Sequence, residues 1–237
     1  MEFNNINVKI VSIDGNIGSG KSTLLAKLKE YFADNVFVSF LKEPVDEWEK
    51  IIDENGVTML EKFYKNQEKY SFSFQMMAYV SRLKVLKDAK KTIVQEYLKT
   101  PSKNTYVIIS ERSLCTDKMV FAKMLYDSKM IEEVNYKIYL SWFDTFSDEF
   151  PVHKNIYVKT SPEICHSRIL KRSRDGESNI PLEYLKNCSR YHDNMLDTSS
   201  VDCVCKDQLI LDGNVDIYEN SNQIEKWIQE IEEFINN

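Results

Sequence analysis

The stretch VKIVSIDGNIGSGKSTLLAKL, residues 8–28, decides the fold. Its opening run VKIVSID (8–14) has the apolar, β-branched character of a buried strand. TLLAKLKEYF (23–32) reads as a helix. Between them lies G-x-x-x-x-G-K-S, with Gly15, Gly20, Lys21 and Ser22 at the fixed positions. A strand, a glycine-rich turn and a helix, in that order, form the context of a phosphate-binding loop. Its backbone N–H groups face phosphate oxygens, and the helix N-terminus adds a partial positive charge. Lys21 is placed to reach the β- and γ-phosphates, and Ser22 to help hold Mg²⁺. The loop alone leaves open a motor, a switch, a nucleic-acid enzyme or a small-molecule kinase.

Four further apolar runs read as buried strands: VFVSFL (36–41), YVIIS (106–110), NIYVKT (155–160) and QLILD (208–212). Helical patterns separate them, at 71–98, across 116–149, at 161–173 and at 221–235. Ser161 is placed to cap the helix that has Pro162 in its first turn. Strands alternating with helices imply a parallel sheet covered on both faces. Sites in such sheets lie beyond the carboxyl ends of the strands. Polar candidates do follow the strands, at Asp14–Ser22, Glu43, Glu111–Arg112 and Asp212–Asp216.

The 237 residues fit one α/β domain or two small ones, with 43% hydrophobic and 29% charged residues. Only six glycines and five prolines argue for helix-rich structure and against an all-β fold. A net charge of −6 argues against a general polyanion binder, so no nucleic-acid polymer is expected as partner, though a local basic cluster can still hold a nucleotide phosphate. Five cysteines without a C-x-x-C pair suggest free thiols in a reducing compartment. There is no signal or transit segment and no 18-residue apolar window, so a cytoplasmic protein without a membrane span is expected.

In KEPVDEW (42–48), Pro44 keeps Glu43 extended, projecting from the sheet edge toward the phosphate loop. A carboxylate there suits a general base for an acceptor hydroxyl and repels an acceptor that is itself a phosphate. In ISERS (109–113), Glu111 can hold Mg²⁺ through water, while Arg112 can hold phosphate or orient the acceptor. RILKRSR (168–174) puts Arg168 and Arg172 on one helix face, with Arg174 at its end. Guanidinium groups suit a charge-spread phosphoryl group, and the DGES turn (175–178) lets the segment end in a lid. On the long helix, Phe74, Gln75, Ala78 and Arg82 occupy adjoining positions. They offer a stacking face and an amide able to pair with a base edge.

Together these pieces resemble the deoxynucleoside kinase family, closest to its deoxycytidine/deoxyguanosine kinase branch. GNIGSGKST, EPVDEW, YSFSFQ, SR, ERS, RILKRSRDGE-SNIPLEYL and LDGNVD carry the resemblance, which runs from about residue 8 to the C-terminus. It implies one deoxynucleoside kinase domain over 1–237, of the P-loop NTPase type, with three αβα layers. The sheet would be five-stranded and parallel, in the order 2-3-1-4-5, with a lid at about 168–180. It implies ATP as phosphoryl donor, Mg²⁺, and transfer to the 5′-hydroxyl of 2′-deoxynucleosides. Gly15, Asn16, Ile17, Gly18, Ser19, Gly20, Lys21, Ser22 and Thr23 would hold the donor. The lid arginines Arg168, Arg172 and Arg174, with Asp216 and Ile217 beside the adenine, would complete its site. The family usually has an aromatic residue where Ile217 stands.

For the acceptor, the resemblance implies Glu43 as base and Arg112 near the 5′ end. Trp48, Phe74, Gln75 and Ala78 would form the base pocket, and Tyr64 and Glu177 would hold the 3′-hydroxyl. Lys21 joins Glu43 and Arg112 as catalytic, and Ser22 and Glu111 would hold the metal. Arg82 and Asp117 match a pair found where deoxycytidine and purine deoxynucleosides are favoured over thymidine. Family members are commonly homodimers, for which 116–146 is a candidate face. Neither an Asp-ended strand with a glycine switch nor N-K-x-D is present, which argues against a switch or motor. The nearer alternative is a thymidylate-like nucleoside monophosphate kinase. Such enzymes carry an arginine before Glu-Pro and D-R after the third strand, where this chain has Lys42 and Glu111.

Overall fold

A computed structural model describes residues 6–172, 180–217 and 221–237. Five parallel strands form one sheet, ordered β2-β3-β1-β4-β5. They are β1 (Val8–Asp14), β2 (Val38–Leu41), β3 (Tyr106–Glu111), β4 (Lys154–Lys159) and β5 (Gln208–Asp212). The order and direction are those expected from the sequence. β1 is central, with Val11 opposite both Ile109 of β3 and Lys154 of β4.

The period-2 alternation of the strands builds two cores. Val11 and Ile13 of β1 face α1 (Lys21–Tyr31) and α10 (Ser221–Asn236), meeting Leu24, Leu28, Trp227 and Ile231. Ile10 faces α4 (Gln67–Lys99) and α7 (Glu133–Phe146), meeting Tyr79, Leu83, Tyr139 and Phe143. β3 divides in the same way, Val107 and Ile109 to one side and Tyr106 and Ile108 to the other. The result is three layers, helix on sheet on helix. Each large apolar side chain buried this way contributes about 1.5–3 kcal/mol. Ser12 and Asp14 share the Ile10 side of β1 but are polar and fully buried, so the strand turns chemical at its carboxyl end.

Helices depart from the sequence reading where local caps decide their ends. α4 begins at Gln67, four residues before the expected 71, because the Asn66 side chain accepts a bond from the Lys69 N–H at 3.1 Å. β2 pairs only from Val38. The chain before it turns at Asn35, whose side chain accepts from the Phe37 N–H at 3.0 Å. The segment 116–149 is not continuous. It runs through a short turn, α5 (Leu114–Thr116), a π-helix over Asp117–Ala122, and α6 (Lys123–Asp127). Lys129 then takes φ 63°, which breaks the helix and lets Ile131 bury beside Leu125 before α7 starts. Two short helices after β2, α2 (Val45–Trp48) and α3 (Met59–Lys65), were not expected. After β4 come α8 (Pro162–Arg172) and α9 (Leu182–Met195). The buried stripe of α9 is Leu185, Cys188, His192 and Met195, a helical spacing whose Cys and His members blur the apolar signal.

Candidate active site

Beyond the carboxyl ends of β1, β2 and β3, a cleft of about 450 Å³ opens between the phosphate loop and α4. Its size is within the range of small-ligand sites. Residues 17–23 form its floor. Gly20 has φ 103° and precedes α1, and a Cβ added there would project into space with only Arg168 Nη1 near, at 4.0 Å. The loop is therefore bare where a phosphate would approach. Gly18 (φ 78°) tolerates no side chain, since its Cβ would lie 2.6 Å from the Cys165 carbonyl oxygen of α8.

Lys21 is 4% exposed, and its Nζ donates to the Asn16 carbonyl at 2.7 Å. Burial, aided by the Arg112 charge and opposed by Glu111 and Glu43, lowers its pKa to about 8. Ser22 Oγ donates to Glu111 Oε1 at 2.5 Å. This pair offers two hard oxygen ligands. Among the described residues, no three or more His, Cys, Asp or Glu side chains converge on a metal position. That fits Mg²⁺, which binds through one or two protein oxygens together with substrate phosphates and water.

Glu43 stands opposite. Arg112 Nη1 donates to its Oε1 and Oε2 at 2.6 and 2.5 Å, and Arg82 Nη2 donates to Oε1 at 2.9 Å. Burial alone would push the Glu43 pKa up, but Arg112, Arg82 and Lys21 outweigh it and hold the carboxyl at about 2. Arg112 reaches Glu43 from a left-handed backbone (φ 64°), a strained conformation for a bulky residue. Its guanidinium also lies 5.0 Å from the centre of the Phe121 ring. Arg82, buried in α4, binds Asp117 through Nε at 2.8 Å and Nη2 at 3.3 Å, and the Glu111 carbonyl through Nη1 at 2.6 Å.

The far end of the cleft is aromatic. The rings of Phe63 and Phe74 stack at 4.4 Å, and Trp48 meets Phe74 edge-on at 5.5 Å. Trp48 Nε1 donates to Ser81 Oγ at 2.8 Å, which fixes the indole. Gln75 is 2% exposed, and its Oε1 has no hydrogen-bond partner among the described residues. Ala78, one helical turn on, leaves room beside it.

A model of the family described as deoxynucleoside kinase matches residues 11–236. The chain belongs to the deoxynucleoside kinase family. It is 31% identical to a probable deoxycytidine kinase of fowlpox virus, over 96% of this chain and 88% of that protein. Human deoxycytidine kinase is 33% identical, over 80% of this chain and 75% of its own. The mitochondrial deoxyguanosine kinase of Xenopus laevis is 28% identical, over 80% and 73%. The chain is thus a kinase that phosphorylates deoxynucleosides from a nucleotide donor.

Most of the residues expected at the kinase's site share this one cleft. Glu43, Trp48, Tyr64, Phe74, Gln75, Ala78, Glu111, Arg112 and Asp117 line it, as do Ile17, Gly18, Ser19, Gly20, Lys21, Ser22, Thr23, Arg168, Arg172, Asp216 and Ile217. Gly15, Asn16 and Arg82 do not line it. Asn16 turns its amide inward to the Leu185 carbonyl at 2.7 Å, and Arg82 supports Glu43 from behind. Arg168 donates to the carbonyls of Gly213 at 2.8 Å, Val215 at 3.2 Å and Ser19 at 3.3 Å, fastening the loop after β5 to the phosphate loop. Arg174 and Glu177 lie outside the described residues.

The same cleft is lined by residues the sequence reading did not single out. They are Phe63, Phe121, Tyr184 and Trp227 of α10. Phe121 is the most legible in hindsight, four residues after Asp117 in the π-helix. Among the described residues, no helix is long and apolar enough to cross a membrane, and all five cysteines are free.

Proposed function

We propose that this chain transfers the γ-phosphoryl group of ATP, with Mg²⁺, to the 5′-hydroxyl of 2′-deoxynucleosides, with deoxycytidine or purine deoxynucleosides preferred over thymidine. The observation that carries the reading is Glu43, a carboxylate facing the cleft and clasped by Arg112 and Arg82 within reach of Lys21's field. A charged carboxylate here accepts a hydrogen bond from a hydroxyl and repels a phosphate. With its pKa near 2, Glu43 first aligns the hydroxyl oxygen for in-line attack. The hydroxyl proton passes to Glu43 Oε as the new P–O bond forms and the bond from the γ-phosphorus to the β-phosphate oxygen breaks to release ADP, and the proton then leaves to solvent. Lys21 and the arginines Arg168 and Arg172 balance charge on the transferring group. Ser22 and Glu111 would hold Mg²⁺, which when bound would neutralise further charge on the phosphates.

At the acceptor end, the unpartnered Gln75 Oε1 would accept a hydrogen bond from a base amine, with Phe74 as the stacking face. Asp117, held from behind by Arg82, would add bulk and fixed charge where the methyl of thymine would sit. Tyr64 and Glu177 would bind the 3′-hydroxyl, and Arg174 would join the lid. The whole chain acts as one domain on this reading, in the cytoplasm.

A homodimer is part of the same proposal. Val134, Ile138 and Trp142 form an i, i+4, i+8 stripe on α7, 61%, 45% and 49% exposed, and Val80 of the adjoining α4 is 49% exposed. The Tyr79 hydroxyl ties the two helices by donating to the Trp142 carbonyl at 3.1 Å. Such an apolar stripe suits burial against a second copy.

The deciding experiment incubates the purified protein with ATP, Mg²⁺ and a panel of nucleosides and nucleoside monophosphates, with products separated by chromatography. Transfer to deoxynucleosides is expected. Transfer only to monophosphates would establish the thymidylate-like alternative, which the family match does not favour.

A further inference from the structure

Behind the phosphate loop sits a carboxylate that the proposed chemistry does not use. Asp14, the last residue of β1, has no exposed surface. Ser12 Oγ and Asn155 Nδ2 each donate to its Oδ2 at 2.6 Å, and Thr116 Oγ1 donates to Oδ1 at 2.5 Å. Among the described residues these donors are all neutral. A carboxylate buried without a cation is costly unless its hydrogen bonds are fixed, and the origins of the donors indicate what is being fixed. Ser12 belongs to β1 itself, Asn155 to β4, and Thr116 to the turn that leaves β3.

The hydrogen-bond direction through Thr116 can be worked out. Its N–H is capped by Ser113 Oγ at 3.2 Å, and its Oγ1 accepts the Ser113 N–H at 3.1 Å. The two hydroxyls are 3.0 Å apart. An ionised carboxylate only accepts, so the single Thr116 hydroxyl proton goes to Asp14. Ser113 must then donate to Thr116, and the relay runs from Ser113 through Thr116 to Asp14. This short turn is flanked by the two residues that organise the acceptor. Arg112 before it grips Glu43, and Asp117 after it grips Arg82. On the other side, the residue after Asp14 is Gly15, where the phosphate loop begins.

We infer that the Asp14–Thr116 hydrogen bond is the joint that sets the donor half of the site against the acceptor half, with both residues acting in positioning. This rests on the kinase reading above. In-line transfer is sensitive to such alignment, since a displacement of about 1 Å can cost roughly 10²-fold in rate.

Thr116→Val keeps the shape and removes the hydroxyl, whereas Thr116→Ser keeps the hydroxyl. Ser12→Ala removes a bond to the same carboxylate without unlinking any element. With deoxycytidine or deoxyguanosine and ATP, Thr116→Val should lose about 10²-fold in kcat, while dissociation constants for each substrate alone, by calorimetry, stay within about threefold. Thr116→Ser should recover to within about threefold of the parent, and Ser12→Ala should melt at a lower temperature with its kcat kept. The joint is refuted if a cooperatively melting Thr116→Val keeps kcat within about threefold, or if Ser12→Ala loses as much kcat as Thr116→Val. Should Thr116→Val fail to fold, Thr116→Ala is judged by the same criteria. A parent protein that phosphorylates no deoxynucleoside removes the kinase reading itself; parent turnover with an unaffected Thr116→Val removes only the joint.

Discussion

Arg112 lays one nitrogen across both oxygens of Glu43, at 2.6 and 2.5 Å, from a backbone twisted to φ 64°. The clasp keeps the carboxylate charged and aimed. Glu43→Gln should therefore lower kcat by roughly 10²–10⁴-fold while deoxynucleoside binding is largely kept. Steady-state kinetics with a separate binding isotherm check this, and unchanged turnover would remove Glu43 from the base role. Because the carboxyl is held near pH 2, any acid limb of the parent's rate profile above about pH 4 must come from another group.

Gln75 carries a buried carbonyl oxygen without a partner among the described residues, a group that costs on the order of 1–3 kcal/mol while unsatisfied. Gln75→Leu should raise the melting temperature and lower kcat/KM for deoxynucleosides by about 10²-fold. Stability and activity moving in opposite directions is the signature of a group held ready for a ligand. A variant that loses both would mean that Gln75 serves packing.

Asp117 and Arg82 form a buried ion pair, each side chain 3% exposed. Removing Asp117 leaves Arg82 sharing Glu43 with Arg112, an excess of buried positive charge. Asp117→Ala alone should destabilise by about 3–5 kcal/mol, and the joint change Arg82→Met/Asp117→Ala by less. Relative kcat/KM for thymidine should rise in the joint variant. If thymidine is already the best substrate of the parent, the pair does not exclude it.

His192 is buried against the Tyr157 ring, its Nδ1 2.7 Å from the Cys188 carbonyl, and burial lowers its pKa to about 4. The unfolded chain binds this proton near the ordinary value of 6.5, so the folded state loses stability as the pH falls from about 6.5 to 4. The contribution is present in full above that window and amounts to about 3 kcal/mol. His192→Gln should flatten the acid side of the melting-temperature profile. An unchanged profile would assign the acid loss to carboxylates.

The sheet was legible because each strand is an apolar run closed by a polar residue, and the glycine-rich turn fixes its centre. The donor end was legible for the same reason, since residues 17–23 form it as one contiguous motif. The acceptor end depends on tertiary placement. Nothing local reveals that Arg82 would turn from the base pocket to support Glu43, or that Asn16 would face Leu185. Phe63 lay hidden because α3 is only seven residues long and its start is set by one cap, Thr58 Oγ1 accepting from the Glu61 N–H. The break at Lys129 has no glycine to announce it, only the burial of Ile131 that follows.

The charges packed around the cleft cancel. Lys21, Arg82 and Arg112 face Glu43, Glu111 and Asp117, and Asp14 behind the loop adds one more negative charge. A polyanionic donor entering this interior finds no surplus of positive charge there. The attraction must come from Arg168, which is partly exposed, and from Lys171 and Arg172, whose exposed side chains also line the cleft. Exposed charges are screened by salt and buried ones far less. Donor affinity should thus track ionic strength, while deoxynucleoside affinity, set by uncharged contacts deeper in, stays nearly indifferent to it.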